Sequence, residues 1–221
     1  MNKKIFSRLL EHSQNDISKI TQPFIKETFG VQVNRCDSLE QYAEAIDDAC
    51  LHKYFSKYWD NDMKKWKYSG VQLIDEVNNL KPRAVLDVGC GYNEFKGKIN
   101  NLIGIDPYNN KADLEVGTLQ YRTDQKFDVI LCLGSVNFGS RDKIIAEVGR
   151  CVDLLAEGGT MFFRVNPGVQ HDKPEADWIE FYAWNVPFII ELSEIYNLKI
   201  LDIRDDTNQR KYFVYKKQST Q

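Results

Sequence analysis

Hydrophobic positions along the chain fall into two regimes. Up to about residue 80 they recur at helical spacing, and no segment is rich in strand formers. Ile5, Phe6, Leu9 and Leu10 follow the three-to-four repeat of a helix. Leu39, Tyr42, Ala43, Ile46 and Ala49 line one face of another, opened by the capping box Ser38-Leu39-Glu40-Gln41. Ser69-Gly70-Val71-Gln72 reads as a second box ahead of Val71, Ile74, Val77 and Leu80. Pro82 should stop that helix near Lys81.

From Pro82 onward, short apolar runs alternate with helical patterns. Strands are expected at 84–88, 102–105, 127–133 and 160–165, with a weaker one at 112–116. Between them Ser140 caps a helix carrying Ile144, Ile145, Val148, Val152 and Leu155. A further helix carries Phe188, Ile189, Leu192 and Ile195. Runs at 198–203 and 211–215 then flank the turn Asp205-Asp206-Thr207-Asn208, an antiparallel hairpin. The tail from Lys216 to Gln221 is expected to fray. Short apolar strands separated by helices imply a parallel sheet covered on both faces.

Composition narrows the class. With 221 residues, 43% of them hydrophobic and 28% charged, the chain can bury a substantial core. A net charge of -3 argues against nonspecific nucleic-acid binding. The five cysteines include no C-x-x-C pair, and only three histidines accompany them. Reduced, buried thiols in a cytoplasmic protein are therefore expected, rather than disulfides or a zinc site. No apolar run has the length of a membrane span or of a signal-peptide core.

The chemistry concentrates in Val85-Leu86-Asp87-Val88-Gly89-Cys90-Gly91-Tyr92-Asn93. A strand ending in Gly-x-Gly turns sharply and lets a ligand approach where no Cβ stands. The next strand, Leu102-Ile103-Gly104-Ile105, ends in Asp106, placed to accept both ribose hydroxyls of an adenosine cofactor. A dinucleotide fingerprint would need a third glycine facing a pyrophosphate, and Glu94 occupies that position. S-adenosylmethionine carries no phosphate, and its ammonium and sulfonium suit the acidity of Asp87 and Asp106.

VLDVGCGYN, IGIDP, FDVILCLGSVNF and LAEGGTMFFRVNPG, in this order, resemble the class I S-adenosylmethionine-dependent methyltransferases. The resemblance spans roughly residues 68–216. It implies a Rossmann-like, doubly wound, seven-stranded α/β sheet, mostly parallel, with an antiparallel C-terminal hairpin. Residues 1–66 would form an N-terminal helical extension or lid, and 67–221 the cofactor-binding core. It also implies that Gly89 and Gly91, with Cys90 between them, line the methionine part of the cofactor, near Asp87. Asp106 would hold the ribose, with Pro107 and Tyr108 beside the adenine. The family often has an acid after its third strand; here Gly117-Thr118-Leu119 stands there, so Thr118, Leu119 or a backbone group would take over. Leu133, Gly134 and Ser135 would pass beside the sulfonium. Asn93 replaces a further glycine of the family pattern.

Other residues carry competing readings. His171, after the fourth strong strand, is a candidate base or acceptor contact, against a solvated loop histidine. Ser135 and Asn137 are acceptor contacts or caps. Tyr54, Phe55, Tyr58, Trp59, Trp66 and Tyr68 read mainly as packing between extension and sheet, with Trp66 or Tyr68 as exceptions. Trp178, Phe181, Tyr182 and Trp184 fit a pocket wall or helix packing equally. Lys64, Lys65 and Lys67 read as a solvated run. The segment Cys132-Leu133-Gly134-Ser135 lacks the acids that would hold magnesium, so no metal is expected. The Asp/Asn-Pro-Pro-Tyr motif of amino-methyltransferases is also missing there.

The expectation is a methyltransferase with an unidentified acceptor, a small molecule preferred. A protein or nucleic-acid methyltransferase using the N-terminal helices for recognition is the alternative. A noncatalytic cofactor-binding protein follows, and a dehydrogenase comes last.

Overall fold

A computed structural model of the chain describes residues 1–60 and 62–219. Three helices come first: α1 (Lys3–Ser13), α2 (Gln22–Phe29) and α3 (Leu39–Lys57). Asn2, Thr21 and Ser38 cap them, each side chain accepting from a first-turn amide. Gln41 reaches back to the Asp37 amide at 2.9 Å, close to the expected box. Ile5, Leu9, Ile25, Phe29 and Ile46 build a core of their own within this layer. Further along α3, Leu51 and Tyr54 belong to a separate cluster with Ala176 and Ile179, so this helix is buried on two sides.

Helix α4 (Gln72–Asn79) leads into the sheet. Ser69 does not cap it: the residue before the helix is Val71, and no side chain caps the start. Ser69 is instead fully buried and donates to Asp206 Oδ2 at 2.6 Å. A tertiary partner has replaced the local one.

Among the described residues the sheet has six strands: β1 (Val85–Val88), β2 (Leu102–Ile105), β3 (Phe127–Leu133), β4 (Leu155–Val165), β5 (Leu198–Asp205) and β6 (Lys211–Lys217). Their order is β2-β1-β3-β4-β6-β5, with β2, β1, β3 and β4 parallel and β6 antiparallel to both neighbours. Helix α5 (Arg141–Leu154), capped by Ser140, and α6 (Val186–Ile195) cover one face. α4 packs against the other, with Phe95 and Ile99.

The seventh strand expected at 112–116 is absent. Only Leu114 bridges Ile105, at the edge beside β2. Asp113 accounts for this, since its carboxylate accepts from Gly104 N and Lys96 Nζ, both at 2.8 Å, and pins the segment through a side chain. Nor does a helix link β1 to β2. Asn93, Gly97 and Asn101 all have φ between 56° and 75°, which breaks a helix into turns. At the tail, Lys216 and Lys217 do not fray but pair with Thr160 and Leu198. Positions 220 and 221 lie outside the described residues. No helix among the described residues is long and apolar enough to cross a membrane.

The chain order along the sheet reverses between β1 and β3. Such a switch point opens a crevice at the carboxyl ends of the strands.

Candidate functional site

Gly89 leaves β1 at φ +65°, its amide and that of Cys90 donating to Ile105 O at 2.7 and 3.0 Å. A Cβ on Gly89 would lie 2.2 Å from Ser135 Cβ, so the loops after β1 and β3 touch there. Gly91 follows at φ +56°, its missing Cβ making room for the Trp59 ring. Its amide donates to Asp106 Oδ2 at 3.0 Å, and Tyr108 N donates to Oδ1 at 2.7 Å. Two backbone amides thus fix the carboxylate in one orientation at the end of β2.

These residues wall a cavity of about 570 Å³. Gly89, Gly91, Asp106, Pro107, Tyr108, Thr118, Leu119, Leu133, Gly134 and Ser135 all line it. Asp87 and Cys90 do not: both are buried behind the wall, with the Cys90 thiol lying over Gly104. Burial and the nearby Asp106 push Asp87 up to about 7. Burial, outweighing the backbone hydrogen bonds from Tyr108 and Gly91 and a weaker one from Asn109, also raises Asp106.

The roof comes from α3 and the residues just after it. Asp48, Leu51, Phe55 and Trp59 face the cavity, and Asp48 accepts from the Tyr108 hydroxyl at 2.9 Å. Phe55 sits between Tyr108 and Phe138, with centroids 6.3 and 5.3 Å away, and Phe138 meets Phe181 at 5.2 Å. Trp59 stacks on Tyr92, whose hydroxyl donates to Trp59 O. Of the aromatics weighed from sequence, Trp66 lines the cavity, whereas Tyr68 packs on Tyr212 outside it. Trp184 is core, its Nε1 donating to Val136 O, and Trp178 packs on Phe29. Among the lysines, Lys65 pairs with Asp62 and Lys67 lies over the Tyr68 ring.

His171 also lines the cavity, and it is not a solvated loop residue. Its Nδ1 is 2.8 Å from the Tyr54 hydroxyl and its Nε2 is 3.0 Å from Arg210 Nη2. Burial, then the charges of Arg210 and Arg164, lower it to about 4. Asn137 accepts from Asn166 N at 2.8 Å, which ties the loops after β3 and β4.

Several lining residues were not singled out from the sequence, among them Asp48, Lys143, Glu147, Arg164 and Arg210. Arg164 alone carried a signal, as the one charge within the apolar run 159–165. Glu147 is half-buried, and burial raises its carboxyl to about 7.

The cavity fits an adenosyl amino-acid cofactor. Asp106 presents a preoriented acceptor, and a Cβ on Gly134 would stand in open space. Ser135 Oγ is buried without a hydrogen-bond partner. On the described wall, acids line the β2 end and lie close to the glycine loop.

No family model matches the chain, and no curated protein matches it significantly. Solved structures do. The N-methyltransferase NodS of Bradyrhizobium japonicum, in complex with S-adenosylhomocysteine, superposes with a TM-score of 0.54 at 15% identity, covering 76% of this chain and 97% of that one. The 1,6-didemethyltoxoflavin-N1-methyltransferase of Burkholderia thailandensis, with 1,6-didemethyltoxoflavin and S-adenosylhomocysteine bound, gives 0.60 at 13%, over 86% and 94%. The magnesium protoporphyrin IX methyltransferase of Synechocystis, with bound S-adenosylmethionine, gives 0.51 at 13%, over 77% and 97%. The chain has the fold of S-adenosylmethionine-dependent methyltransferases.

Proposed function

We propose that this chain is an S-adenosylmethionine-dependent methyltransferase whose acceptor is a small molecule. The observation that carries the reading is Asp106. It stands at the end of β2, held by the Gly91 and Tyr108 amides, on the wall of a crevice at the sheet's switch point. The ribose belongs on this carboxylate, with Pro107 and Tyr108 beside the adenine. Gly89 and Gly91 border the amino-acid end, and Leu133, Gly134 and Ser135 the sulfur. Asp87 and Cys90 shape the loop from behind. Thr118 and Leu119 border the adenine, and Glu147 supplies an acid on the same cavity.

When bound, the cofactor supplies a methyl group on a sulfonium that is already a good leaving group. The chain's own part is alignment and exclusion of water, worth on the order of 7–11 kcal/mol at best. The α3 roof does both, so residues 1–66 act as a lid rather than as a separate recognition module. An acceptor beneath that roof must be small. His171 is a brace between Tyr54 and Arg210 rather than a base, because its Nε2 lone pair is already engaged.

The test is calorimetric titration with S-adenosylhomocysteine and with NAD, on wild type and on Asp106→Asn. The expected result is binding of the adenosyl ligand alone, weakened about tenfold or more by the substitution. A folded wild type that binds NAD, or neither ligand, would refute the reading.

A further inference from the structure

The end of the cavity away from Asp106 is built from two arginines. Arg164 is the penultimate residue of β4, and Arg210 directly precedes β6, its antiparallel neighbour. The pairing of Val165 with Lys211 brings both guanidiniums to the carboxyl end of β4. Asp106 is three strands away, at about 4.8 Å per step. The switch-point loops, Gly89 and Gly134-Ser135, lie between.

The charges at this end do not balance. Arg164 is only 7% exposed, with Nε 3.3 Å from Asp206 Oδ2. That ion pair is misaligned for a hydrogen bond, so Nε keeps no hydrogen-bond partner. Asp206 is already engaged, accepting from Lys67 N, Ser69 Oγ and Thr207 N. Arg210 has no carboxylate within 4 Å among the described residues. Its Nη2 donates to His171, and its Nη1 is shut off from solvent with no partner at all. Burial and the charge of Arg164 lower Arg210 to about 10, the mark of a cation held without its counter-ion. Of the groups in direct contact here, two guanidiniums face one carboxylate, and His171 is neutral.

An unpaired, half-buried charge and an orphaned donor are costly, and both arginines line the cavity. The surrounding walls are flat rings: Trp66 lies 4.6 Å from the Arg164 guanidinium carbon, and Phe181 lies 5.9 Å from that of Arg210. Resting on the methyltransferase reading above, we infer that the acceptor is a planar, aromatic small molecule bearing one carboxylate, which Arg164 and Arg210 grip. A monoanion supplies the carboxylate that Arg210 lacks, and a guanidinium fork matches a carboxylate. The rings clamp the acceptor's plane, while its opposite edge points back toward the methyl donor.

The experiment saturates the protein with S-adenosylhomocysteine and then titrates matched pairs, salicylate against salicylamide and anthranilate against anthranilamide. Wild type, Arg210→Gln and Arg210→Lys are compared. At least one acid should bind about tenfold or more tightly than its amide, and Arg210→Gln should erase that preference. Arg210→Lys should retain part of it. The adenosyl ligand should bind all three proteins alike, which also reports that the variants fold. Acids and amides binding equally, no acid binding, or a preference that survives Arg210→Gln would overturn the inference and leave the cofactor reading intact. Failure of S-adenosylhomocysteine to bind wild type would overturn the cofactor reading itself, and this inference with it.

Discussion

Arg210 Nη2 and His171 Nε2 lie 3.0 Å apart, and this contact sets the state of the imidazole. A guanidinium has no acceptor, so Nε2 must accept. The remaining proton then sits on Nδ1, facing the Tyr54 hydroxyl at 2.8 Å. The histidine lining the cavity is therefore neutral and held at both nitrogens.

His171 should stay neutral until the pH falls to about 4, well below the ordinary 6.5. Because the folded protein binds fewer protons here than the unfolded chain, stability is present above 6.5 and is lost as pH falls from there through 4. Ring-nitrogen NMR reads the titration directly. A midpoint near 6.5 would mean that the ring is neither buried nor held by Arg210 as described.

Asp87 has the opposite sign. Its folded value is raised to about 7 from 3.8, so the native state holds a proton that the unfolded chain has released. Stability should decline as pH rises from 4 through 7. Asp87→Asn should remove Asp87's share of this decline, leaving that of Glu147, and stabilise the protein at pH 8 by roughly 2–4 kcal/mol. Urea melts across that pH range test it; identical slopes in both proteins would count against it.

Gly89→Ala should be costly out of proportion to one methyl group. The new Cβ would meet Ser135 at 2.2 Å on a backbone at φ +65°. Strain and overpacking together should cost about 2–4 kcal/mol in a denaturant melt, and S-adenosylhomocysteine binding should weaken. A Gly134→Ala control also carries positive φ, +102°, but its Cβ meets nothing within 4 Å. It should keep more of its stability, and equal losses would deny the close approach at Gly89.

Asp206 joins the segment before α4 to the C-terminal hairpin and neutralises Arg164. Asp206→Ala should cost about 3–5 kcal/mol, since it strands a buried guanidinium. Adding Arg164→Met should recover much of that loss, and a fully additive double-mutant cycle would contradict the pairing.

Much of this architecture is legible in the sequence because local and tertiary demands agree there. Leu102–Ile105 and Phe127–Leu133 are apolar runs bounded by polar turns, and both strands fall where periodicity puts them. Ser140 caps α5 as its position implies. Legibility ends where a distant partner outbids a local one. Ser69 has the spacing of a cap but serves Asp206, 137 positions later. Residues 112–116 look like a strand, yet the Asp113 carboxylate takes the Gly104 amide and only one bridge forms. In the site, Gly89, Gly91 and Asp106 are readable because strand ends are local features. The juxtaposition of Arg164 and Arg210 depends on β4 lying against β6 and joins residues 46 positions apart, which no local pattern reports.

The most direct measurement is a crystal structure of the protein grown with S-adenosylhomocysteine. The ligand should lie in the crevice with its ribose hydroxyls about 2.6–3.2 Å from the Asp106 carboxylate and its sulfur beside Ser135. A ribose bound elsewhere, or a crevice empty at saturating ligand, would contradict the account.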